Sequence, residues 1–300
     1  MAIFEFVLLV LLFVLPAADA GLYQSTPLPA GQANEDYYGI SVASSGSVIA
    51  VGAPQCSIWL NGGNDGVAAW GGASGNGYVA IFNGCSSPSS TCTMVSTVTH
   101  SAAATGDPQG DINHECFGYS VALTNLGQYL IVGAPNYGPS TGSSAMGAVL
   151  HYSLADPTNP VFLDQLANAG SGTNAIGWSV AASLMSTGEV YAAVGMPFLD
   201  DSSGDHTGGF IGTHCASTLS TCNRVYYQAS SGDYTFMGHS VSMAQGYPVA
   251  AIVGTYYDIN LIVYTLVYDA PIEIWSCTSA NGVTCTLQTS TTINPPSGKS

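Results

Sequence analysis

Phe117-Gly118-Tyr119-Ser120-Val121 is followed, after an apolar run, by Val132-Gly133-Ala134-Pro135. The same pair of phrases recurs as Tyr38-Gly39-Ile40-Ser41-Val42 with Val51-Gly52-Ala53-Pro54, and as Ile176-Gly177-Trp178-Ser179-Val180 with Val194-Gly195-Met196-Pro197. A fourth copy reads Met237-Gly238-His239-Ser240-Val241 with Val253-Gly254-Thr255. Recurrence over such a period marks an array of similar structural units.

Each first phrase reads as a strand whose side chains alternate between two faces. One face is bulky in every unit: Tyr38, Ile40, Val42; Phe117, Tyr119, Val121; Ile176, Trp178, Val180; Met237, His239, Val241. The other is nearly flat: Gly39 and Ser41, Gly118 and Ser120, Gly177 and Ser179, Gly238 and Ser240. Sheets of this kind stack bulky face on flat face, and radial stacking builds a β-propeller. Full burial of each large apolar side chain contributes roughly 1.5–3 kcal/mol, so the blade interfaces are expected to dominate stability. The second unit divides into four strand segments, Gly118–Leu123, Tyr129–Val132, Ala148–Ser153 and Val161–Leu166. Turn-forming Asn, Gly, Ser and Pro separate them. The fold class is therefore all-β, with four visible four-stranded blades at about 35–100, 112–167, 172–230 and 234–292 within a propeller spanning 35–294.

The pattern resembles the FG-GAP repeat, the blade unit of the integrin α-subunit β-propeller. The matching residues are the first phrase, the Gly-Ala-Pro phrase, and a third phrase seen as Gly77-Tyr78-Val79, Gly147-Ala148-Val149 and Gly209-Phe210-Ile211. The fourth unit departs from it, with Thr255-Tyr256 in place of Ala-Pro and Ala270-Pro271-Ile272 in place of the third phrase. The integrin ring has seven blades, so a four-unit chain departs in number too. The resemblance implies extracellular recognition through loops on one rim. The family often carries an acidic calcium loop between its first two strands. Here those turns read Ser44-Ser45-Gly46-Ser47, Thr124-Asn125-Leu126-Gly127, Ser186-Thr187-Gly188 and Gln245-Gly246-Tyr247. They lack the clustered oxygen ligands that calcium needs, so no cofactor is required by this reading.

Residues 1–20 read as a cleaved secretory signal peptide, with an apolar stretch from Phe6 to Leu15 and a small-residue cleavage pattern at Ala18-Asp19-Ala20. A secreted location follows. Residues 21–34 form an N-terminal strand or arm that could pair with the last blade or with a neighbouring subunit, and 295–300 a linker or tail. Eight cysteines suit an oxidising compartment. Cys85–Cys92, Cys215–Cys222 and Cys277–Cys285 recur at the same place in three units and are expected to staple hairpins. Cys56–Cys116 is expected to join adjacent blades.

Acidic residues number 18 against two basic ones, Arg224 and Lys299, giving a net charge of −16. Only 7% of residues are charged, against about 25% in ordinary soluble domains. Nucleic acid and anionic membrane are excluded as partners, since both need basic patches. No Gly-x-Ser-x-Gly elbow, His-Glu-x-x-His motif or phosphate loop occurs, and His100, His114, His151, His206 and His214 show no ligand spacing. Catalytic residues are accordingly expected to be none, and the chain not to be an enzyme. Rim loops offer the ligand-binding candidates: Trp59, Asn64, Asp65 and Trp70 in a long loop of the first unit, Asp107, Asp111 and Glu115 before the second, and Asp200, Asp201 and Asp205 in the third. The last three are also the candidate metal ligands, with calcium as the ion.

The expected role is a secreted, non-catalytic recognition or adhesion scaffold whose partner is an extracellular protein or glycan. The alternative is a structural subunit of an extracellular fibre or coat that self-assembles by strand addition. A weaker alternative is a secreted hydrolase built on a propeller.

Overall fold

The computed structural model describes residues 37–60, 68–71, 77–86, 90–100, 115–137, 147–167, 175–199, 208–215, 222–228, 236–247, 249–253, 270–278 and 284–293. The expected signal peptide, the arm at 21–34 and the tail at 295–300 lie outside the described residues. Four antiparallel four-stranded sheets follow one another along the chain. Blade 1 is β1 (Ser41–Ser45), β2 (Val48–Ala53), β5 (Tyr78–Asn83) and β6 (Thr93–Val98). A two-stranded ribbon, β3 (Ser57–Leu60) and β4 (Ala68–Gly71), stands between its second and third strands. Blade 2 is β7 (Ser120–Leu123), β8 (Tyr129–Ala134), β9 (Ala148–Ser153) and β10 (Val161–Ala167). Blade 3 is β11 (Val180–Leu184), β12 (Val190–Met196), β13 (Gly209–Cys215) and β14 (Cys222–Gln228). Blade 4 is β15 (Ser240–Met243), β16 (Val249–Val253), β17 (Ala270–Thr278) and β18 (Thr284–Ile293). The architecture is an all-β propeller of four blades, and its sheets do not close into a ring.

The glycine of each first phrase makes a turn into its blade. Gly39, Gly118, Gly177 and Gly238 have φ of 91°, 90°, 89° and 90°. The residue after each donates its N–H to a carbonyl three residues back: Ile40 to Tyr37 at 3.1 Å, Tyr119 to Cys116 at 3.0 Å, Trp178 to Ala175 at 3.1 Å and His239 to Phe236 at 3.2 Å. A type II turn needs positive φ at its third residue, which glycine adopts without steric cost.

Flat faces meet bulky faces as the alternation dictates. Phe117, Val121 and Leu123 of blade 2 share one apolar cluster with Val48, Ala50, Val79, Ile81 and Val98 of blade 1. Ile176, Ala182 and Leu184 of blade 3 pack with Ala122, Ile131 and Val149 of blade 2. Met237 and Trp275 of blade 4 pack with Tyr191, Ala193 and Phe210 of blade 3. The phrase serines lock these contacts. Ser41 Oγ donates to the Gly118 carbonyl at 2.8 Å, Ser120 Oγ to Gly177 at 2.7 Å and Ser179 Oγ to Gly238 at 2.8 Å, each in the next blade. The backbones are close enough that a Cβ on Gly52, Gly133 or Gly195 would sit 2.0, 2.0 or 1.9 Å from those same carbonyl oxygens. Glycine is the one residue that fits there.

Two expectations need correction. Ile40 and Val42 belong to the bulky set but stand 49% and 59% exposed, because no blade of the described chain packs ahead of blade 1. The third phrase of blade 3 starts one residue earlier than its sequence suggests. Gly77, Gly147 and Gly208 bridge to Phe117, Ile176 and Met237 of the next blade. Gly208, with φ of 72°, is thus the counterpart of Gly77 at 71° and Gly147 at 76°.

Disulfides join Cys85 to Cys92, Cys215 to Cys222 and Cys56 to Cys116. The first two staple hairpins, and the third ties blade 1 to the entry of blade 2. Cys277 and Cys285 face each other in the β17–β18 register, but their side chains lie outside what is described. Three bridges fit an extracellular chain. Among the described residues, no helix is long and apolar enough to cross a membrane.

Candidate functional site

Most of the expected rim residues fall outside the described part: Asn64, Asp65, Asp107, Asp111, Asp200, Asp201 and Asp205, the last three being the candidate metal ligands. Trp59 and Trp70 lie on the β3–β4 ribbon, paired with Ala69 and Ile58. Arg224 lies on β14 opposite Thr213. Glu115 is the rim candidate that the structure describes in full, and its setting differs from expectation. It is 2% exposed, so it is a buried group at a blade junction rather than a solvated rim acid.

The chain holds Glu115 firmly. It directly precedes the bridged Cys116, and its carbonyl accepts the Asn136 N–H at 3.2 Å. One carboxylate oxygen, Oε2, pairs with Nδ1 of His100. His100 follows the last residues of β6 and is 3% exposed. Its ring stacks on Phe117 with centroids 6.0 Å apart and abuts Tyr137 at 5.8 Å. The second ring nitrogen, Nε2, has no hydrogen-bond partner among the described residues. An ionised carboxylate can only accept, so in the neutral imidazole this pairing would put the proton on Nδ1 and the lone pair on Nε2.

His100 lines a cleft of about 630 Å³ between the outer strands of blades 1 and 2. Ser96, Thr97 and Thr99 supply hydroxyls on one wall, and Thr158, Asn159 and Phe162 face them from the other. The walls are tied together by Ser96 Oγ donating to the Pro157 carbonyl at 2.6 Å. Tyr152 completes the lining; burial, reinforced by the charge of Glu115, holds its phenol well above the ordinary range. The setting combines a mostly neutral, hydroxyl-rich wall with His100, whose imidazole is held almost closed to solvent.

Two other histidines are less suited to chemistry. His151 is buried with both ring nitrogens unpartnered among the described residues, and burial lowers its pKa to about 4 against a smaller opposing effect of Asp164. Its ring lies within 4.8 Å of the sulfurs of Cys215 and Cys222. Those sulfurs are disulfide-bonded, so they offer no thiolate to a metal. His214 Nε2 lies 3.3 Å from Glu189 Oε1 in a geometry that makes no hydrogen bond.

The His100–Glu115 pair was not legible in the sequence, because its two members belong to different blades. The available signal was indirect: a histidine stands at the end of one blade and an acid at the entry of the next.

No family model and no curated protein matches the chain. Among solved structures it is similar to the intramolecular trans-sialidase of Ruminococcus gnavus in complex with oseltamivir carboxylate. The TM-score is 0.41 at 11% identity, over 81% of this chain and 49% of that one. It is also similar to a leech intramolecular trans-sialidase complexed with 2,7-anhydro-Neu5Ac, with a TM-score of 0.39 at 11% identity, over 89% of this chain and 42% of that one. The chain thus spans less than half the length of either. These neighbours are enzymes rather than integrin-type adhesion proteins. That finding corrects the expected non-catalytic recognition or adhesion role, and with it the fibre or coat alternative. At this identity the likeness concerns the fold alone.

Proposed function

We propose that the chain is a hydrolase in which Glu115 and His100 activate water against a neutral ester held in the cleft between blades 1 and 2. The observation that carries this reading is the buried carboxylate–imidazole pair at the edge of the cleft: His100 is one of the cleft residues, and its Nε2, closed to solvent at rest, has no partner among the described residues. A carboxylate that orients an imidazole and stabilises the imidazolium is the base half of many hydrolytic sites. His100 Nε2 takes a proton from water as the water oxygen adds to the acyl carbon. The same proton passes to the departing alkoxide when the carbon–oxygen bond breaks. Ser and Thr hydroxyls on the cleft walls can donate to the ester's oxygens. Glycoside cleavage is less well served, since it calls for a pair of carboxyl groups flanking the bond, and among the described residues no carboxylate lines this cleft, Glu115 reaching it through His100. A neutral substrate follows from charge: with two basic residues in the chain, an anionic ligand would find little to balance it.

The test is turnover of a panel of neutral acetyl and short acyl esters, including acetylated polysaccharides. His100→Gln should lower kcat by about 100-fold or more. Glu115→Gln should lower it too, while melting temperatures report whether each variant still folds. Wild-type protein inert towards every ester, or a folded His100→Gln variant at full rate, overturns the proposal.

A further inference from the structure

Ile81 of blade 1 and Gly212 of blade 3 hold the place after Gly77 and Gly208 that His151 holds after Gly147. Ile81 is fully buried, so the joint accepts an apolar side chain at this place. His151 is 3% exposed, and neither ring nitrogen has a hydrogen-bond partner among the described residues. Burying an imidazole without a partner is costly, and packing alone would favour a residue such as Ile81. Burial keeps the ring neutral, which leaves one nitrogen lone pair free for a ligand.

His151 faces a pair of sulfurs. Among the described residues, one group of three metal-ligating side chains comes together. It is His151 with Cys215 and Cys222, their ligand atoms all within 4.8 Å of one another. The neighbouring joints lack the combination: blade 2 carries Asp156-Pro157 where blade 3 carries its cysteines, and Gly212 has no side chain to offer the cysteines of blade 4.

A closed bridge has no thiolate to give. Opening it takes two electrons and two protons, which a dithiol reductant supplies as it leaves in the form of its own disulfide. Cys222 is the partly buried member of the pair, which gives the reductant its approach. The β13–β14 ladder runs on from His214–Asn223 to Gly209–Gln228, and the Cys222 N–H donates to Asp164 Oδ2 at 3.3 Å. These contacts hold both cysteines in place once the sulfur–sulfur bond is broken.

We propose that reduction of Cys215–Cys222 creates a zinc site, in which the two thiolates and the His151 imidazole bind one ion across the joint of blades 2 and 3. The donor set selects the metal. Two thiolates and an imidazole suit a borderline-soft cation. Two thiolate charges in a buried joint are balanced by a divalent ion, whereas a monovalent one such as copper(I) leaves charge uncompensated. Each thiol releases its proton to solvent as it binds. Zinc–sulfur bonds of about 2.3 Å set the two sulfurs about 3.8 Å apart in a tetrahedron, a small parting of the opened cysteines. Asp164 lies outside the group of three, which leaves the fourth position to water. The ion replaces a tie within blade 3 by one between blades.

The test compares the full chain, reduced with a phosphine and desalted under nitrogen, with the same chain left oxidised. Zinc affinity is read by competition with a chromophoric chelator, and X-ray absorption at the zinc edge reads the ligands at one equivalent. The reduced chain should bind its first zinc about 100-fold or more tightly than the oxidised chain, with two sulfurs and an imidazole around the ion. His151→Phe keeps a ring in the joint without its nitrogens and should weaken that first equivalent by about tenfold or more. Replacing both Cys215 and Cys222 by Ser should abolish it, leaving the weaker binding of the remaining cysteine pairs. Circular dichroism before reduction reports whether each variant folds, and the wild-type coordination sphere decides the question where one does not. Equal affinity in the two redox states, coordination by sulfur alone, or a folded His151→Phe chain that binds as wild type does overturns the proposal. So does a reduced wild-type chain that takes up no zinc.

Discussion

The serine hydroxyl and the two glycines that frame it decide how closely adjacent blades approach. Ser120 donates across the joint at 2.7 Å, and Gly133 beside it leaves no room for a Cβ. A comparison within one phrase position separates packing from backbone preference. Gly118→Ala pays for a left-handed backbone and for a contact 2.7 Å from the Tyr78 carbonyl, whereas Gly39→Ala meets only the first penalty. Urea denaturation should show Gly118→Ala less stable than Gly39→Ala by about 1–3 kcal/mol, the usual cost of overpacking. That the phrase would hold a glycine and a serine on a flat face could be read directly from the repeat. The pairing of His100 with Glu115 could not, since it depends on how the end of blade 1 meets the entry of blade 2. Nor could the register of Gly208, because two adjacent glycines satisfy the same pattern.

At the level of elements, blades 2 and 3 meet around a histidine that stays neutral. His151 projects from β9 into the joint, with the Cys215–Cys222 hairpin staple close by and Asp164 on β10 as the facing acid. Its folded pKa of about 4 lies below the ordinary histidine value of 6.5. Between these values the unfolded chain binds the proton and the folded one does not, so stability rises with pH through that window. It is complete above about 6.5, declines as pH falls, and reaches its floor near 4, where both states are protonated. The contribution is on the order of 3 kcal/mol at about 1.4 kcal/mol per pH unit. The slope of unfolding free energy against pH between these limits should shrink in a His151→Phe variant; an unchanged slope would assign it to carboxylates instead. Strand order and hairpin staples followed from turn residues and cysteine spacing. The joint's buried histidine did not, because alternation along a strand says which face a side chain takes but not what the neighbouring blade places there.

Across the whole molecule, like charge opposes compaction. A net charge of −16 with two basic residues leaves almost no ion pairing to offset repulsion, and apolar joints, hydrogen-bonded ladders and disulfides hold the arc together. Salt screens such repulsion, with a Debye length of about 10 Å at 0.1 M. The melting temperature should therefore rise as sodium chloride is added, the opposite of a fold that depends on surface salt bridges, and differential scanning calorimetry over a salt series checks it. The sequence made the repeated unit and its charge plain. It did not reveal that the arc stays open, since closure depends on the angle between blades rather than on any residue within one. The position of Arg224 has one more effect. Its backbone is laid into the β13–β14 ladder opposite Thr213, and proteases that cleave after basic residues need a segment freed from such pairing. With Lys299 as the only other basic residue in the chain, digestive enzymes of that specificity find no ready place to cut the folded blades.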